Sequence, residues 1–285
     1  MAQPDLREDS QREYPELRGP RPAAPPEYQR HVVYLHWDRE FLPWMTGRLK
    51  RVVRFGESLD LSAAWEPGQH IAVVGPTGEG KSNFVVALLK LRNYVLALDA
   101  KGEDETLAKS GYRRVLGVPP GKKFPREVQR DLDEGRPVRL IVGGAARTDD
   151  EDLALQKLMR EAIAYCRHSG GWTLYVDEFE LLSSQRMFNL GPLVERMLIT
   201  ARRLKTSVIT AFQAPAWVSK HALRQATFAV VFKTRDRNMI KAVAEAMGRD
   251  WRIVAQIIDE LPPFHVLIVP KNIRAPMVIT KAPKQ

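Results

Sequence analysis

The sequence contains one cysteine among its 285 residues and no long apolar run. A single cysteine cannot form an internal disulfide, and Cys166 lies in a stretch of helical apolar spacing, so we interpret it as a buried, unreactive thiol. No apolar segment approaches the roughly 18 residues of a membrane span, and the N-terminus lacks the apolar region of a signal peptide. These absences predict a cytoplasmic protein without an integral membrane segment.

Acidic residues are fewer than basic ones, which gives a net charge of +10. Residues 1–30 hold five Arg against six acids, so the remaining 255 residues carry about +11. Such a surplus favours a polyanionic partner, nucleic acid first, although charge alone does not decide the matter. The six histidines are scattered without metal-ligand spacing, so they predict no metal site of their own.

The chain divides into three predicted parts. Residues 1–30 are rich in proline and charge and poor in apolar residues, which is typical of a disordered tail. Residues 31–64 contain two stretches typical of short strands, 32–35 and 51–55, and predict a short N-terminal β segment. Residues 65–285 alternate apolar strand-length runs with stretches of helical periodicity, and this predicts one mainly parallel α/β domain. The predicted strands are 71–74, 95–98, 138–142, 174–176, 208–212, 228–232 and a final pair, 265–269 and 276–279; the predicted helices are 82–91, 151–167, 190–203 and 237–247.

The most informative pattern is G-x-x-x-x-G-K-S directly after the first of these strands. In such a loop the backbone N–H groups and the start of the next helix hold the phosphates of a nucleoside triphosphate. Gly78 and Gly80 permit the tight turn, Lys81 reaches the β- and γ-phosphates, and the Ser82 hydroxyl holds Mg²⁺. The flanking strand and helix disfavour the alternative, a glycine-rich surface turn. The predicted nucleotide-binding residues are Gly75, Pro76, Thr77, Gly78, Glu79, Gly80, Lys81 and Ser82.

A second pattern, Leu174-Tyr-Val-Asp-Glu178, is an apolar strand that ends in two carboxylates. In a Walker B strand of this kind, Asp177 binds Mg²⁺, directly or through water, and Glu178 orients and deprotonates the attacking water. Alone, the pattern is more typical of a strand that runs into a loop. Its position downstream of a P-loop favours the catalytic interpretation.

A third pattern joins a basic helix end to a strand that ends in an amide, Gln213. The amide is predicted to sense the γ-phosphate, the alternative being a solvent-facing side chain. Arg202 and Arg203 precede this strand. One of them is predicted to act in a neighbouring subunit's site as an arginine finger, the alternative being a favourable interaction with the helix dipole.

Together these residues resemble the HerA/FtsK superfamily of ring-forming, DNA-pumping P-loop ATPases over about residues 65–280. The resemblance implies a RecA-like core, Mg-ATP hydrolysis, a homo-oligomer that is usually a hexameric ring around double-stranded DNA, and a Gln strand between the P-loop and Walker B strands. The chain lacks the membrane helices and winged-helix module of the chromosome-segregation pumps, and its size is closest to compact viral genome-packaging ATPases. The residues that carry the resemblance are 75–82, Leu98-Asp-Ala-Lys-Gly102, Val176-Asp-Glu178 and 202–213.

DNA contacts are expected in two loops, 181–189 and 214–225, which follow the Walker B and Gln strands. Their hydroxyls, amides and cations suit phosphate contacts, although polar loops are as often simply solvated. Weaker candidates are Lys122, Lys123 and residues 233–237. The candidate side chains are Ser183, Ser184, Gln185, Arg186, Trp217, Lys220, His221 and Arg224.

The leading hypothesis is therefore an ATP-driven double-stranded DNA translocase in the host cytoplasm or, if viral, associated with the virion. An alternative is a P-loop ATPase for phage morphogenesis or secretion that acts on protein, with a capsid or secretion-apparatus partner. A third, a nucleotide switch that translocates nothing, leaves Arg202, Arg203 and Gln213 without a role.

Overall fold

The computed structural model describes residues 53–54, 64–102, 104–119, 123–144, 148–185, 187–213 and 220–282. These residues form a ten-stranded sheet with helices on both faces. The strand order is β1-β10-β9-β8-β2-β7-β6-β3-β5-β4. All strands run in one direction except β9, which is antiparallel to β8 and β10. The predicted mainly parallel α/β fold is confirmed.

The element bounds are as follows. The strands are β1 (Val53–Arg54), β2 (Ile71–Val74), β3 (Tyr94–Asp99), β4 (Arg113–Val115), β5 (Val138–Gly143), β6 (Thr173–Val176), β7 (Ser207–Phe212), β8 (Phe228–Phe232), β9 (His265–Pro270) and β10 (Met277–Lys281). The helices are α1 (Lys81–Leu89), α2 (Glu105–Lys109), α3 (Arg126–Asp133), α4 (Asp149–Ser169), α5 (Phe179–Ser183), α6 (Gly191–Thr200), α7 (Lys220–Gln225), α8 (Arg237–Ala246) and α9 (Trp251–Glu260). A 3₁₀ turn, Ala201–Leu204, follows α6.

Two apolar cores lie on the two faces of the sheet, because successive side chains of a strand point to opposite faces. In β2, Ile71 and Val73 join the core that α1 covers, while Ala72 and Val74 join the core that α4 and α6 cover. Every residue of β2 is therefore buried. The continuous apolar runs of the sequence follow directly from this double coverage.

The sheet order determines where the site forms. Strand β7 lies between β2 and β6 and is parallel to both, with Val74 opposite Phe212 and Val176 opposite Thr210. This is the position that the family resemblance implies for the Gln strand. The carboxyl ends of these three strands therefore meet at one edge of the sheet, where ligands bind in open parallel sheets.

Several local predictions differ from the structure. The predicted helix 190–203 ends as α6 at Thr200 and continues as the 3₁₀ turn, which stops at Lys205 with a φ of 53°. Helix α9 was not predicted, although Asp250 caps it by accepting from the Arg252 N–H. The predicted loop 214–225 is helical from Lys220 onward, as α7.

Other predictions concern the thiol and the chain's undescribed parts. Cys166 is buried in α4, and burial raises its pKa, as expected of an inert thiol. Within the predicted β segment 31–64, the described residues are 53–54, which form β1, and residue 64. Strand β1 pairs with β10. Residues 1–30, Lys122, Arg186 and Trp217 lie outside the described residues. Across the described ranges, no helix is both long and apolar enough to cross a bilayer.

Candidate nucleotide site

The P-loop leaves β2 between β7 and β8. The Gly75 N–H donates to the Phe212 carbonyl at 3.2 Å. On the other side, a Cβ placed on Gly75 would lie 2.5 Å from the Phe232 Cβ, closer than real Cβ atoms come. Both neighbouring strands thus fix the start of the loop, and only glycine fits there.

The loop then enters α1 in a conformation suited to an anion. Gly78 and Gly80 have φ values of 88° and 91°, in the left-handed region that side chains disfavour. No side chain caps α1, and no acid occupies its first turn. The first N–H groups of the helix therefore lack intrahelical partners and carry the positive end of the dipole. The cradle fits a phosphate group.

Lys81 is buried, with 8% of its surface exposed. Its Nζ donates to the Pro76 carbonyl at 2.7 Å, so it spans the loop from inside. Burial lowers the pKa of Lys81, an effect that the nearby carboxylates oppose, Asp177 first. A phosphate at the loop would give this desolvated cation a strong partner.

Asp177 directly follows β6 at the same edge of the sheet. It accepts a hydrogen bond from the Tyr175 hydroxyl at 2.8 Å. Burial raises the pKa of Asp177 to about 6, against the lowering effect of this hydrogen bond, and nearby Asp104 and Glu178 raise it further. A carboxylate that is this costly to ionise has much to gain from a divalent cation.

Glu178 has a strained backbone, with a φ of 46° and a ψ of 59°. Its Oε1 accepts from Lys101 Nζ at 2.6 Å and from Gln213 Nε2 at 2.5 Å. Strain of this kind persists where the surroundings hold a side chain in a required position. Lys101 was not predicted as a site residue, although it lies in the Leu98–Gly102 segment of the family resemblance.

Gln213 connects the loop to Glu178. Besides donating to Glu178, its side chain accepts from the Thr77 hydroxyl at 2.8 Å through Oε1. Its backbone N–H donates to Glu180 Oε1. Both ends of the amide are therefore bound to predicted site residues, in contrast to the solvent-facing alternative.

Two further acidic residues, Asp99 and Asp104, lie beside this network and were not predicted as site residues. Asp99, at the end of β3, is 2% exposed and pairs with Arg114 at 3.1 Å. Asp104 caps α2 by accepting from the Leu107 N–H, and burial raises its pKa. These residues rigidify the segment that carries Lys101, since the Gly102 N–H also donates to Asp99.

Arg202 and Arg203 lie at the opposite edge of the sheet. They are exposed and precede the first residue of β7, whereas Gln213 follows its last. Six strand residues separate the two edges by about 17–20 Å. Arg202 also helps burial to lower the pKa of His70, which precedes β2 at that same edge. Neither arginine therefore lies at the P-loop of its own chain.

The candidate DNA-contacting side chains are divided between helices and loops. Ser183 ends α5 and its hydroxyl bonds back to the Glu180 carbonyl, while Gln185 is exposed. Lys220, His221 and Arg224 are exposed on α7. Lys233 instead donates to the Leu261 carbonyl at 2.7 Å. Because 181–185 and α7 follow β6 and β7, both groups come after the carboxyl ends of site strands.

The donor set fits magnesium held with a phosphate. Ser82 is the second residue of α1, and Asp177 is the carboxylate at the end of β6. Within the described ranges, no group of three or more His, Cys, Asp or Glu side chains is arranged to hold a metal. A P-loop magnesium needs no such group, because phosphates and waters supply its other ligands.

No protein-family model matches the sequence, and no curated protein matches it. Solved structures share its fold. The genome packaging NTPase B204 from Sulfolobus turreted icosahedral virus 2, in complex with AMPPCP, gives a TM-score of 0.50 at 17% identity over 76% of this chain and 99% of that one. The DNA-packaging ATPase B204 from Sulfolobus turreted icosahedral virus gives 0.53 at 19%, over 77% and 100%. VirB4 of Thermoanaerobacter pseudethanolicus gives 0.52 at 11%, over 76% and 90%. At these identities the likeness establishes the fold, and the fold agrees with the predicted HerA/FtsK-type resemblance.

Proposed function

We propose that this chain is an ATP-hydrolysing double-stranded DNA translocase of the HerA/FtsK type, working as a homo-oligomeric, hexameric ring in genome packaging or in a mobile element. The convergence of Lys81, Thr77, Asp177, Glu178 and Gln213 on one sheet edge carries the proposal. Each comes from the end of β2, β6 or β7, the three adjacent parallel strands. The motor would work in the host cytoplasm or, if viral, at the virion.

In the proposed site the P-loop, residues 75–82, holds the phosphates of ATP, and Ser82 and Asp177 hold Mg²⁺. The bound cation would neutralise charge that develops on the phosphates. Glu178 orients the attacking water and accepts its proton. Gln213 relates the state of the loop to Glu178, because its amide bonds to both Thr77 and Glu178.

A ring is supported by the placement of the arginines. Arg202 and Arg203 lie an entire strand away from the P-loop of their own chain. If either arginine stabilises the transferring phosphoryl group, it does so in the site of another subunit, as in enzymes that receive an arginine finger in trans. The number of subunits stays part of the proposal.

Double-stranded DNA as cargo is supported by the charge of +10 and by the exposed cations of α7. Contacts to phosphates without base readout suit a motor that must move along any sequence. The shared fold of a DNA-packaging ATPase is compatible with this cargo and does not establish it.

The direct test measures ATP turnover by the purified full chain with and without double-stranded DNA. We expect DNA to raise turnover, and ATP with Mg²⁺ to assemble a ring detectable by light scattering or electron microscopy. The matched variant Glu178→Gln should bind ATP and lose turnover, because an amide cannot accept the proton of water. If DNA does not change the rate of ATP turnover and no ring forms, the translocase proposal is overturned. Continued hydrolysis by Glu178→Gln would show that Glu178 is not the base.

An ATPase that moves protein in phage morphogenesis or secretion is the alternative. Ionic strength separates the two, since phosphate contacts release counterions and weaken steeply with salt. Binding to a protein partner through apolar contacts would change little with salt. Stimulation of the ATPase by DNA that disappears between low and moderate salt supports the DNA motor.

A further inference from the structure

Phe264 is an exposed aromatic side chain beside the P-loop. The residue precedes β9, and 48% of its surface is accessible. A Cβ placed on Gly80 would lie 3.8 Å from the Phe264 Cδ1, which is ordinary van der Waals contact. The edge of the ring therefore meets the loop where α1 begins, while much of its surface remains open.

The surrounding backbone holds the ring there. Phe264 has a φ of 60°, which is unusual for a bulky side chain and costs free energy. The Ala282 N–H donates to the Phe264 carbonyl at 2.7 Å, and the His265 N–H donates to the Pro262 carbonyl at 3.2 Å. Pro262 and Pro263 further restrict the turn, because each fixes its own φ. An exposed phenyl ring on a strained, fixed turn is unusual unless the ring has a partner.

The sheet order indicates which end of a nucleotide faces this ring. The P-loop strand β2 has β7 on one side and β8 on the other. Gln213 and Glu178, which would act on the γ-phosphate, belong to the β7 side. On the β8 side, antiparallel β9 begins at the same edge, since Val266 pairs with Phe232, the last residue of β8.

A triphosphate with its γ-phosphate toward Glu178 must extend its nucleoside away from the β7 side. The phosphates occupy the loop itself, so the sugar and base leave over the β8 and β9 side. Phe264 stands at that exit.

We propose that Phe264 is a stacking platform for the base of the bound nucleoside triphosphate. The proposal rests on the proposed function, since it assigns the nucleoside end of the same site. An aromatic ring stacks on any base, and it gains most from the larger surface of a purine. The phosphates supply the ionic contacts, and Phe264 adds an apolar contact that inorganic phosphate chains cannot make.

The test compares ATP with inorganic tripolyphosphate, which has the three phosphates and no base. Affinities are measured by calorimetry with Mg²⁺ in a Glu178→Gln background, where ATP is not consumed. We expect Phe264→Ala to weaken ATP binding about tenfold or more while tripolyphosphate binds as before. Alanine at this φ is strained like phenylalanine, so the substitution does not relax the turn. Phe264→Trp should bind ATP about as tightly as the protein with Phe264.

Ile273→Ala is the matched control. Ile273 is 66% exposed and lies between β9 and β10 at the other end of the same hairpin. The substitution should therefore change the affinity for neither ligand. Equal losses for ATP and tripolyphosphate in Phe264→Ala would overturn the proposal, because the ring would then act through the loop. Unchanged ATP affinity would also overturn it, and so would a parent protein that binds both ligands equally well. Failure of the parent protein to bind either ligand would instead overturn the proposed function.

Discussion

Lys101 Nζ lies 2.6 Å from Glu178 Oε1, so the proposed general base is part of an ion pair. The Glu178 side chain is 14% exposed and that of Lys101 is 58% exposed, so Lys101 is the partner on the solvent side of the pair. The Lys101 ammonium competes with an attacking water for the Glu178 carboxylate, since it holds Oε1. We therefore expect this pair to restrain hydrolysis.

Lys101→Ala should therefore raise basal ATP turnover. An exposed ion pair is worth up to about 1 kcal/mol, so we expect an increase of at most about fivefold, without a change in ATP affinity. Higher salt should stimulate the parent protein in the same way and leave the variant unaffected. Lys101→Arg should retain the parent rate.

Lys109→Ala supplies the control, since Lys109 forms a similar surface pair with Glu105. It should leave turnover unchanged. A fall in turnover for Lys101→Ala would contradict the restraining role and indicate that Lys101 holds Glu178 in its working position.

Thr77 and Gln213 should be energetically coupled. The Thr77 hydroxyl donates to Gln213 Oε1, and the other end of the amide donates to Glu178. Thr77→Val and Gln213→Ala both break the first of these bonds, so their effects on turnover should not add. A double-mutant cycle on kcat should give a coupling free energy of about 1 kcal/mol. Additive effects would show that the contact plays no part in turnover.

The sequence predicts the strands and the main site residues because each depends on local pattern. Apolar runs such as Ile71–Val74 are buried on both faces, and the residues that follow them, Gln213 included, lie at the expected edge. The sheet order could be expected only through the family resemblance, because periodicity does not state which strands are neighbours.

Other parts of the site could not be read from the sequence. Lys101 and Phe264 reach the site through the packing of distant segments, 77 residues from Glu178 in the first case. Only the family resemblance draws attention to the segment that holds Lys101, and local pattern does not show that Phe264 lies beside the P-loop. Helix α9 is different: Asp250 and the apolar spacing after it were a readable signal.

Asp177→Asn should stabilise the folded chain near pH 7.5 in the absence of Mg²⁺. Burial raises the folded-state pKa of Asp177 from 3.8 to about 6. A raised carboxyl pKa favours folding most below the unfolded-state pKa, and this contribution is lost as pH rises through about 6. Between these two pH values the free energy of unfolding of the parent protein falls by about 3 kcal/mol. That of Asp177→Asn does not fall in this way, because asparagine carries no charge.

The measurement is urea unfolding of both proteins between pH 4 and pH 8. The stability advantage of Asp177→Asn should grow across that range, and the variant should lose Mg²⁺-dependent nucleotide affinity. A variant that is less stable at pH 7.5, or an advantage independent of pH, would show that Asp177 ionises without cost in the folded chain.

The proposed action of Arg202 or Arg203 in trans can be tested by mixing subunits. A double variant, Arg202→Ala with Arg203→Ala, has an intact Glu178 but offers no arginine, while Glu178→Gln offers both arginines but has no base. Each should be inactive alone. In mixed rings an intact Glu178 meets an intact arginine at some interfaces, so turnover should return to about a quarter of the parent rate at equal proportions. Arg196→Ala, an exposed arginine on α6, should be active alone. If both variants assemble with each other and the mixture stays inactive, the arginines do not act across the interface, and their position in the 3₁₀ turn after α6 reflects the helix dipole alone.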